Sequence, residues 1–358
     1  MADISRRTFT LAAAGTLALA TLKLDNPVIA QAAAATDSDP LSFLDPELRE
    51  TARQIQKMGP QGGFNKEILA KFRSNPPPDT QPRDPNVPVS ERKIPGRNGM
   101  PDVTVYVVNS DPNKSRPAIL HTHGGGYILG SAKSEVPYVQ KLALDLDCVV
   151  VTVDYRLAPD TTYKGSTEDN YTALLWTYKN AKELGIDRSR IALLGESAGG
   201  GHAALLAQNA RDRGEVPLVL QGLIYPMLDD RTGSTRKMPA PIGTIGWNAA
   251  SNRFGWEAFL GQEPGGPTAP KGAVPGRVEN LEGLPPAFIG VGAVDLFVNE
   301  DVDYAGRLID AHVPTELLVV PGAFHGFDRA AADASVSKMF TKAKLNAFRR
   351  AFGQPIKL

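Results

Sequence analysis

The chain has 358 residues, enough for one large α/β domain or two ordinary domains. Its 39 basic and 39 acidic side chains cancel to a formal net charge of zero, which gives no support to nucleic-acid binding. The single cysteine, Cys148, lies in an apolar run that indicates a buried strand thiol. No stretch reaches the ~20 apolar residues of a membrane span, and no His/Asp cluster has metal-ligand spacing. We therefore expect a globular protein without a metal, a nucleic-acid partner or stable membrane insertion.

The first 32 residues have the features of an export signal. Paired arginines at positions 6 and 7 precede a modest apolar stretch over 9–22, and a small-x-small cleavage site follows at 30–32. Paired arginines ahead of a weakly apolar stretch resemble a bacterial twin-arginine signal. We expect residues 1–32 to direct the folded precursor through the twin-arginine export machinery, which makes the protein periplasmic or secreted. The alternative is an ordinary basic N-terminus, and the N-terminal sequence of the exported protein separates the two.

Residues 37–80 are predicted to hold a short linker and helices that precede the main domain. Apolar and polar residues recur at helical spacing over 46–56, with Asp45 in the position of an N-cap. The stretch 75–88 contains six prolines, which predict an extended connector. We place a domain boundary there and assign residues 85–358 to the main domain.

Runs of β-branched and apolar residues predict eight strands in the main domain, with helical patterns between most of them. The predicted strands cover residues 90–94, 103–109, 117–122, 148–155, 191–194, 218–225, 286–294 and 316–320. The predicted helices cover residues 134–145, 171–183, 202–208, 300–311 and 334–351. This alternation predicts a mostly parallel sheet covered on both faces. The Gly- and Pro-rich stretch 229–282 is too long for a plain loop, so we expect small helices there that lie over the site.

The most informative motif of the chain surrounds Ser197. The apolar run 191–194 leads into Gly195-Glu-Ser-Ala-Gly199, and a run of helix formers follows. Between a strand and a helix, this G-x-S-x-G pattern is typical of a nucleophile elbow, a strained turn that exposes the serine hydroxyl. The two glycines leave room where a Cβ would clash with a neighbouring strand or helix. The alternative is a strand-to-helix turn that contains a serine by chance. Glu196 is expected to be a structural partner of nearby polar groups.

A second glycine-rich stretch, His123-Gly-Gly-Gly-Tyr127, follows a predicted strand. Consecutive glycines expose backbone N–H groups without side-chain obstruction. Together with the N–H of Ala198, these groups can bind the oxygen anion of a tetrahedral intermediate. We expect His123 to fix this loop by hydrogen bonds and Tyr127 to line the substrate pocket.

A serine nucleophile needs a base, and the base needs an orienting carboxylate. Of the five histidines, His325 lies in a Gly-rich loop directly after the last predicted strand, at the sheet edge where the elbow is expected. Asp295 is the acid that directly follows an apolar strand. The acids that follow it lie in the first turns of a predicted helix, where negative side chains interact favourably with the helix dipole. They are Glu300, Asp301 and Asp303. Of the remaining histidines, His202 is expected to have a packing role and His312 a solvated or capping role at a helix end. His121 lies in a predicted strand, and its side chain could point into the core or into the pocket.

Four motifs, in this order, resemble those of the hormone-sensitive-lipase-like family of α/β-hydrolase esterases, bacterial family IV. They are His123-Gly-Gly-Gly126, Asp154-Tyr-Arg-Leu-Ala-Pro159, Gly195-Glu-Ser-Ala-Gly-Gly200 and Pro321-Gly-Ala-Phe-His-Gly-Phe327. The resemblance covers the chain from Asp45 to its C-terminus. It implies an α/β-hydrolase fold with a mostly parallel, eight-stranded sheet, no cofactor, and a helical cap. The cap would combine the N-terminal helices with an insertion at about 229–282.

The resemblance also implies a reaction, the hydrolysis of a carboxylic ester. The residues implied are Ser197, Asp295 and His325 for the triad, with Gly125 and Gly126 as oxyanion donors. We therefore predict a serine carboxylesterase that acts on short-chain acyl esters through an acyl-enzyme. Three alternatives stay open. They are an amide, carbamate or lactone hydrolase with the same triad, a lipase on insoluble fat, and a non-catalytic ligand-binding protein like the gibberellin-receptor relatives, which lack the histidine.

Overall fold

A computed structural model describes residues 39–60, 62–75 and 82–357 of the chain. The predicted signal peptide, residues 1–32, lies outside these ranges, so export stays a prediction. Residues 76–81 of the proline-rich connector lie outside them as well. Within the described ranges, every helix is too short or too polar to cross a membrane.

Within the residues that the structure describes, eight strands form one sheet. In chain order they are β1 (Val89–Ile94), β2 (Val103–Val108), β3 (Arg116–Thr122), β4 (Val149–Asp154), β5 (Ile186–Glu196), β6 (Leu220–Ile224), β7 (Ala287–Gly292) and β8 (Thr315–Val320). They lie side by side in the order β1-β2-β4-β3-β5-β6-β7-β8. The pairs β1–β2 and β2–β4 are antiparallel, and the other pairs are parallel. The predicted eight-stranded, mostly parallel sheet of an α/β-hydrolase is confirmed.

Helices cover both faces of this sheet. They are α1 (Arg49–Met58), α2 (Lys66–Ser74), α3 (Ala132–Asp145), α4 (Tyr163–Lys179), α5 (Ala181–Leu184), α6 (Ala198–Arg213), α7 (Ala249–Leu260), α8 (Val298–Asp310), α9 (Phe327–Ala330) and α10 (Ser335–Ala351). The two largest apolar clusters of the core divide between the faces. Leu193 belongs to one and Leu194 to the other, because successive side chains of a strand point in opposite directions. Both faces of the central strands are therefore covered, and every residue of β6 and β7 is buried.

The largest difference from the sequence prediction is the start of α4. This helix begins at Tyr163, well before the predicted start at residue 171. Its first turns contain polar residues that disrupt the apolar pattern but are nevertheless buried. Asp169 shows the reason, because its carboxylate accepts hydrogen bonds from Arg156 Nε at 2.8 Å and from a terminal guanidinium nitrogen at 2.7 Å. The ion pair with Arg156 thus allows Asp169 to be buried, although the sequence pattern around it predicts an exposed side chain.

The two segments predicted to form a cap contact each other. Phe64 lies between α1 and α2, and its backbone N–H donates to Ser251 Oγ in α7 at 3.2 Å. The ring centroids of Phe64 and Trp247 are 5.8 Å apart. At the end of α2, Arg73 donates to two backbone carbonyl oxygens of the main domain. The N-terminal helices and the 229–282 segment are therefore joined by both polar and aromatic contacts.

His202 in α6 packs in an aromatic cluster. Its ring centroid lies 5.0 Å from that of Tyr127, 4.4 Å from Tyr155 and 5.4 Å from Phe259. The imidazole is buried, and neither ring nitrogen has a hydrogen-bond partner among the described residues. Burial, with a smaller contribution from the neighbouring His123, lowers the pKa of His202 to about 3. The imidazole is therefore neutral in the folded protein at pH values where an unfolded chain protonates it.

We predict that His202 makes the folded protein sensitive to acid. Below about pH 6.5 the unfolded chain binds a proton at this residue and the folded chain does not, so stability falls as the pH decreases towards 3. The substitution His202→Leu removes the imidazole that takes up this proton in the unfolded chain. It should make the slope of unfolding free energy against pH shallower by up to about 1.4 kcal/mol per pH unit between pH 6 and 4. Urea denaturation at several pH values measures the slope.

A matched control for this prediction is His312→Asn, which replaces an exposed histidine at the end of α8. This variant should keep the wild-type slope. Parallel curves for His202→Leu and wild type would contradict the prediction.

Candidate active site

The turn at Ser197 joins β5 to α6. Ser197 has φ 57° and ψ −123°, a sparsely populated conformation for a residue with a side chain. Its N–H donates to the carbonyl oxygen of Ile224 in β6, and its own carbonyl oxygen accepts from the N–H of Met227, both at 2.9 Å. The end of β6 and the loop that follows it therefore hold the strained turn on both sides. The serine lines a cavity at the carboxyl edge of the sheet.

Two glycines permit the close approach of this turn to the sheet. A Cβ on Gly199 would lie 2.0 Å from the carbonyl oxygen of Thr122 in β3. A Cβ on Gly195 would lie 2.1 Å from the carbonyl oxygen of Gly199. Both distances are far below van der Waals contact, so a side chain at either position would push α6 away from the sheet. The G-x-S-x-G pattern therefore reflects a steric requirement of the strand–turn–helix junction.

Three side chains from separate loops meet at this edge. Ser197 Oγ lies 3.0 Å from His325 Nε2, and His325 Nδ1 lies 2.8 Å from Asp295 Oδ2. The serine follows β5, the aspartate follows β7 and the histidine follows β8. These strands run parallel in one half of the sheet, so their carboxyl ends lie at the same edge. The structure thus brings together the three residues of the predicted triad.

The surroundings of Asp295 and His325 fix the direction of these hydrogen bonds. Asp295 is fully buried, and its other carboxylate oxygen accepts from the N–H of Phe297 at 3.0 Å. The His325 ring contacts the rings of Tyr225 and Phe297, with centroids 4.8 Å and 5.2 Å away. Because a carboxylate only accepts hydrogen bonds, Nδ1 of the histidine donates. Nε2 is then free to accept the proton of the serine hydroxyl.

The glycine loop at residues 124–126 lines the same cavity as Ser197. In the part of the chain that the structure describes, the N–H groups of Gly125, Gly126 and Ala198 have no acceptor. Backbone donors that are left free beside a nucleophile are available to an oxygen that becomes negatively charged. The three predicted oxyanion donors are therefore unused, and two of them, Gly125 and Gly126, line the cavity beside the serine.

His123 supports this loop. Its Nδ1 donates to the carbonyl oxygen of Gly124 at 2.8 Å, and its ring stacks on Tyr155 with centroids 4.2 Å apart. The Tyr155 hydroxyl in turn donates to the carbonyl oxygen of His123 at 2.6 Å. Burial lowers the pKa of His123, while the hydrogen bond to Gly124 opposes this shift. His123 therefore fixes the loop by hydrogen bonds, as the sequence predicts.

Tyr127, which the sequence predicts to line the substrate pocket, lies in the packed core. Tyr127 exposes 1% of its surface and does not line the cavity beside Ser197. Its φ of 66° turns the chain, and its ring stacks on Phe259 with centroids 3.9 Å apart. Its hydroxyl donates to the carbonyl oxygen of Met227 at 2.9 Å. Tyr127 is a packing residue between the glycine loop and α7.

The cavity has a volume of about 330 Å³, within the range of small-molecule sites. On one side it is closed by Trp247, because a Cβ on Gly126 would lie 2.2 Å from the indole ring. Another part of its wall includes an ion pair of 2.8 Å between Glu135 and Arg329. The site therefore combines an aromatic wall with a charged one.

Glu196, the residue before the nucleophile, is buried and uses both carboxylate oxygens. Oε2 lies 2.9 Å from Nε2 of His121, and Oε1 accepts from the hydroxyl of Tyr138 at 2.8 Å. Burial alone would raise the pKa of Glu196. The interactions with His121 and the charges of Arg329 and Lys344 outweigh burial and lower this pKa to about 2. Glu196 is therefore the structural partner of polar groups that the sequence predicts, and the groups are His121 and Tyr138. The sequence leaves open whether His121 lies in the core or in the pocket, and it gives no sign of Tyr138.

Comparisons with known proteins agree with this geometry. A family model for the alpha/beta hydrolase fold matches residues 119–329. Esterase LipI of Mycobacterium tuberculosis is 35% identical over 69% of this chain and 77% of its own length. Carboxylesterase NlhH of the same organism is 36% identical over 75% of this chain and 84% of its own length. The solved structure of Bacterial Heroin Esterase superposes with a TM-score of 0.74 at 35% identity, covering 87% of this chain and 98% of that one.

The matched region contains the glycine loop, the turn at Ser197, and the residues Asp295 and His325. Sequence motifs, sheet order and the comparisons therefore agree on one family. The chain belongs to the hormone-sensitive-lipase-like family of carboxylic ester hydrolases within the α/β-hydrolase fold.

Proposed function

We propose that this protein is a serine carboxylesterase that hydrolyses short-chain acyl esters through a covalent acyl-enzyme. The proposal is carried by one observation, the continuous hydrogen-bond path from Ser197 Oγ through His325 to the buried Asp295, with distances of 3.0 and 2.8 Å. A serine hydroxyl is a weak nucleophile at neutral pH unless a positioned base takes its proton during attack. His325 is in the position to do so.

In the first half of the reaction, Ser197 Oγ forms a bond to the ester carbonyl carbon while its proton moves to Nε2 of His325. The N–H groups of Gly125, Gly126 and Ala198 stabilise the negative oxygen of the tetrahedral intermediate. Asp295 stabilises the imidazolium through Nδ1. When the intermediate collapses, the bond to the alcohol oxygen breaks and the alcohol leaves with the proton from Nε2.

In the second half, water takes the place of the alcohol. Its proton moves to Nε2 of His325 as its oxygen attacks the acyl-enzyme carbonyl, and the same donors stabilise the second intermediate. The bond to Ser197 then breaks, the serine regains a proton from Nε2, and the carboxylic acid leaves. The names of the relatives, esterase and carboxylesterase, support an ester over an amide, carbamate or lactone substrate. The cavity volume of about 330 Å³ supports a short acyl group.

The segments joined through Phe64, Ser251 and Trp247 are proposed to form the cap over this cavity. Trp247 is the cap residue that lines the cavity, together with the adjacent Gly246. Its indole N–H donates to Asn252 Oδ1 at 3.1 Å, which fixes the ring against the glycine loop. The cap thereby sets the space left for the substrate.

We predict that Ser197→Ala lowers kcat on p-nitrophenyl butyrate by about 10⁴-fold or more, because no other group replaces the nucleophile. Steady-state hydrolysis of this ester is the measurement. The same assay on the butyryl p-nitroanilide should give a much lower kcat/KM for the wild type.

Ser337→Ala supplies the control, since Ser337 is also buried but its hydroxyl donates to the carbonyl oxygen of Phe327. This variant should retain wild-type turnover. Undiminished hydrolysis by Ser197→Ala would refute the proposed nucleophile, and faster anilide than ester turnover would refute the substrate class.

We predict that Trp247→Ala shifts the preference of the enzyme to longer acyl chains. Removal of the indole ring enlarges the cavity, and each added methylene in an apolar pocket changes the transition-state energy by a few kcal/mol at most. The ratio of kcat/KM for p-nitrophenyl octanoate over butyrate should rise about tenfold.

Trp176→Ala is the control, because Trp176 lies in α4 and does not line the cavity. Its ratio should match that of the wild type. An unchanged ratio in Trp247→Ala would mean that another part of the cap limits the chain length.

A further inference from the structure

A chain of buried polar side chains begins beside the nucleophile and is not used by the triad. Glu196 is joined to Ser197 by a peptide bond, and its Oε1 accepts from the hydroxyl of Tyr138 in α3 at 2.8 Å. The same hydroxyl accepts from Nζ of Lys344 in α10 at 3.3 Å. The end of β5 is thereby tied to two helices that lie far from it in sequence.

The chain continues to the other side of the site. Nζ of Lys344 donates to Asp328 Oδ2 in α9 at 3.3 Å, and Asp328 Oδ1 accepts from the hydroxyl of Tyr225 at 2.9 Å. The ring of Tyr225 contacts the ring of His325, with centroids 4.8 Å apart. The path therefore runs from the residue that adjoins the catalytic serine to the ring that packs against the catalytic histidine.

The charges in this path are removed from water. Lys344 exposes 2% of its surface, Asp328 4% and Glu196 3%. Buried charges are tolerated when they are paired and hydrogen-bonded, and removing one member leaves its partners unsatisfied. A network of this kind holds its members in one arrangement, because any displacement breaks a costly hydrogen bond. The position of Glu196 at one end of the path is therefore coupled to the position of Tyr225 at the other end.

We propose that the path Glu196–Tyr138–Lys344–Asp328–Tyr225 is a positioning network that holds the Ser197 hydroxyl and the His325 ring at their reacting distance. The inference rests on the proposed serine esterase function of this site. Proton transfer depends steeply on the separation of Oγ and Nε2, which is 3.0 Å here, and a misplacement of about 1 Å can cost about 100-fold in rate. Within the triad, Asp295 holds His325 through a single hydrogen bond to Nδ1. The path adds two restraints, because Tyr225 packs against the His325 ring and Glu196 adjoins Ser197 in the chain.

Two conservative substitutions test the network. Tyr138→Phe removes the central hydroxyl and keeps the ring under the Arg329 guanidinium, whose carbon lies 4.5 Å from the ring centroid. Tyr225→Phe removes the terminal hydroxyl and keeps the ring against His325. Each variant should lower kcat on p-nitrophenyl butyrate about tenfold and leave KM within about twofold of wild type. Active sites are counted by fluorophosphonate titration, so that unfolded protein does not contribute to kcat.

The double variant Tyr138→Phe/Tyr225→Phe tests whether the path acts as a unit. Once one hydroxyl is lost the path is broken, so the double variant should be no slower than the slower single variant, within about twofold. Tyr304→Phe is the matched control. It removes a buried hydroxyl that accepts from Gln208 Nε2 at 3.2 Å, away from the cavity, and should keep the wild-type kcat.

Wild-type kcat in Tyr138→Phe would overturn the inference while leaving the proposed function intact. Multiplication of the two single effects in the double variant would overturn the continuity of the path. A wild-type protein that turns over no ester would overturn the proposed function and this inference together.

Discussion

The site depends on the close approach of α6 to β3 at the turn that carries Ser197. A carbonyl oxygen of β3 lies only 2.0 Å from where a Cβ on Gly199 would be, so the helix starts directly against the sheet. At this turn Ser197 has φ 57°, and its backbone hydrogen bonds to Ile224 in β6 and to Met227 just after β6 hold it there. The strain is local, and the buried residues of β3, β5 and β6 around it supply the stability that maintains it.

The sheet order converts this local feature into a catalytic arrangement. Parallel strands β5, β6, β7 and β8 end at one edge, so the loops after β7 and β8 bring Asp295 and His325 to the serine. The glycine loop after β3 arrives beside them, because β3 is the other neighbour of β5. Each catalytic group thus follows a different strand, and the order of the strands in the sheet brings the groups together.

The residues that could be predicted from sequence are those whose role is imposed by the local backbone. The elbow, the glycine loop, and an acid and a histidine directly after strands all carry such signals. The position of Tyr127 is not readable from its neighbours in sequence, which do not reveal that its ring stacks on Phe259 of α7. The start of α4 was hidden because buried polar side chains there are satisfied by partners that are distant in sequence, such as Arg156.

The buried path behind the triad lay beyond sequence reasoning for the same physical reason. Lys344 and Tyr138 sit on helices whose surface-like composition gives no sign that an ammonium group and a hydroxyl meet in the interior. Their value to the fold appears only when α3 and α10 are placed side by side. Sequence patterns thus predict the reacting groups, whereas the network that restrains them is a property of tertiary packing.

The most direct measurement of the central claim is covalent labelling with a fluorophosphonate, followed by peptide mass spectrometry. The account predicts one phosphonyl group per chain, on the peptide that contains Ser197, with ester hydrolysis lost in proportion to labelling. Inactivation with the label on another residue, or hydrolysis that persists after Ser197 is fully modified, would contradict it.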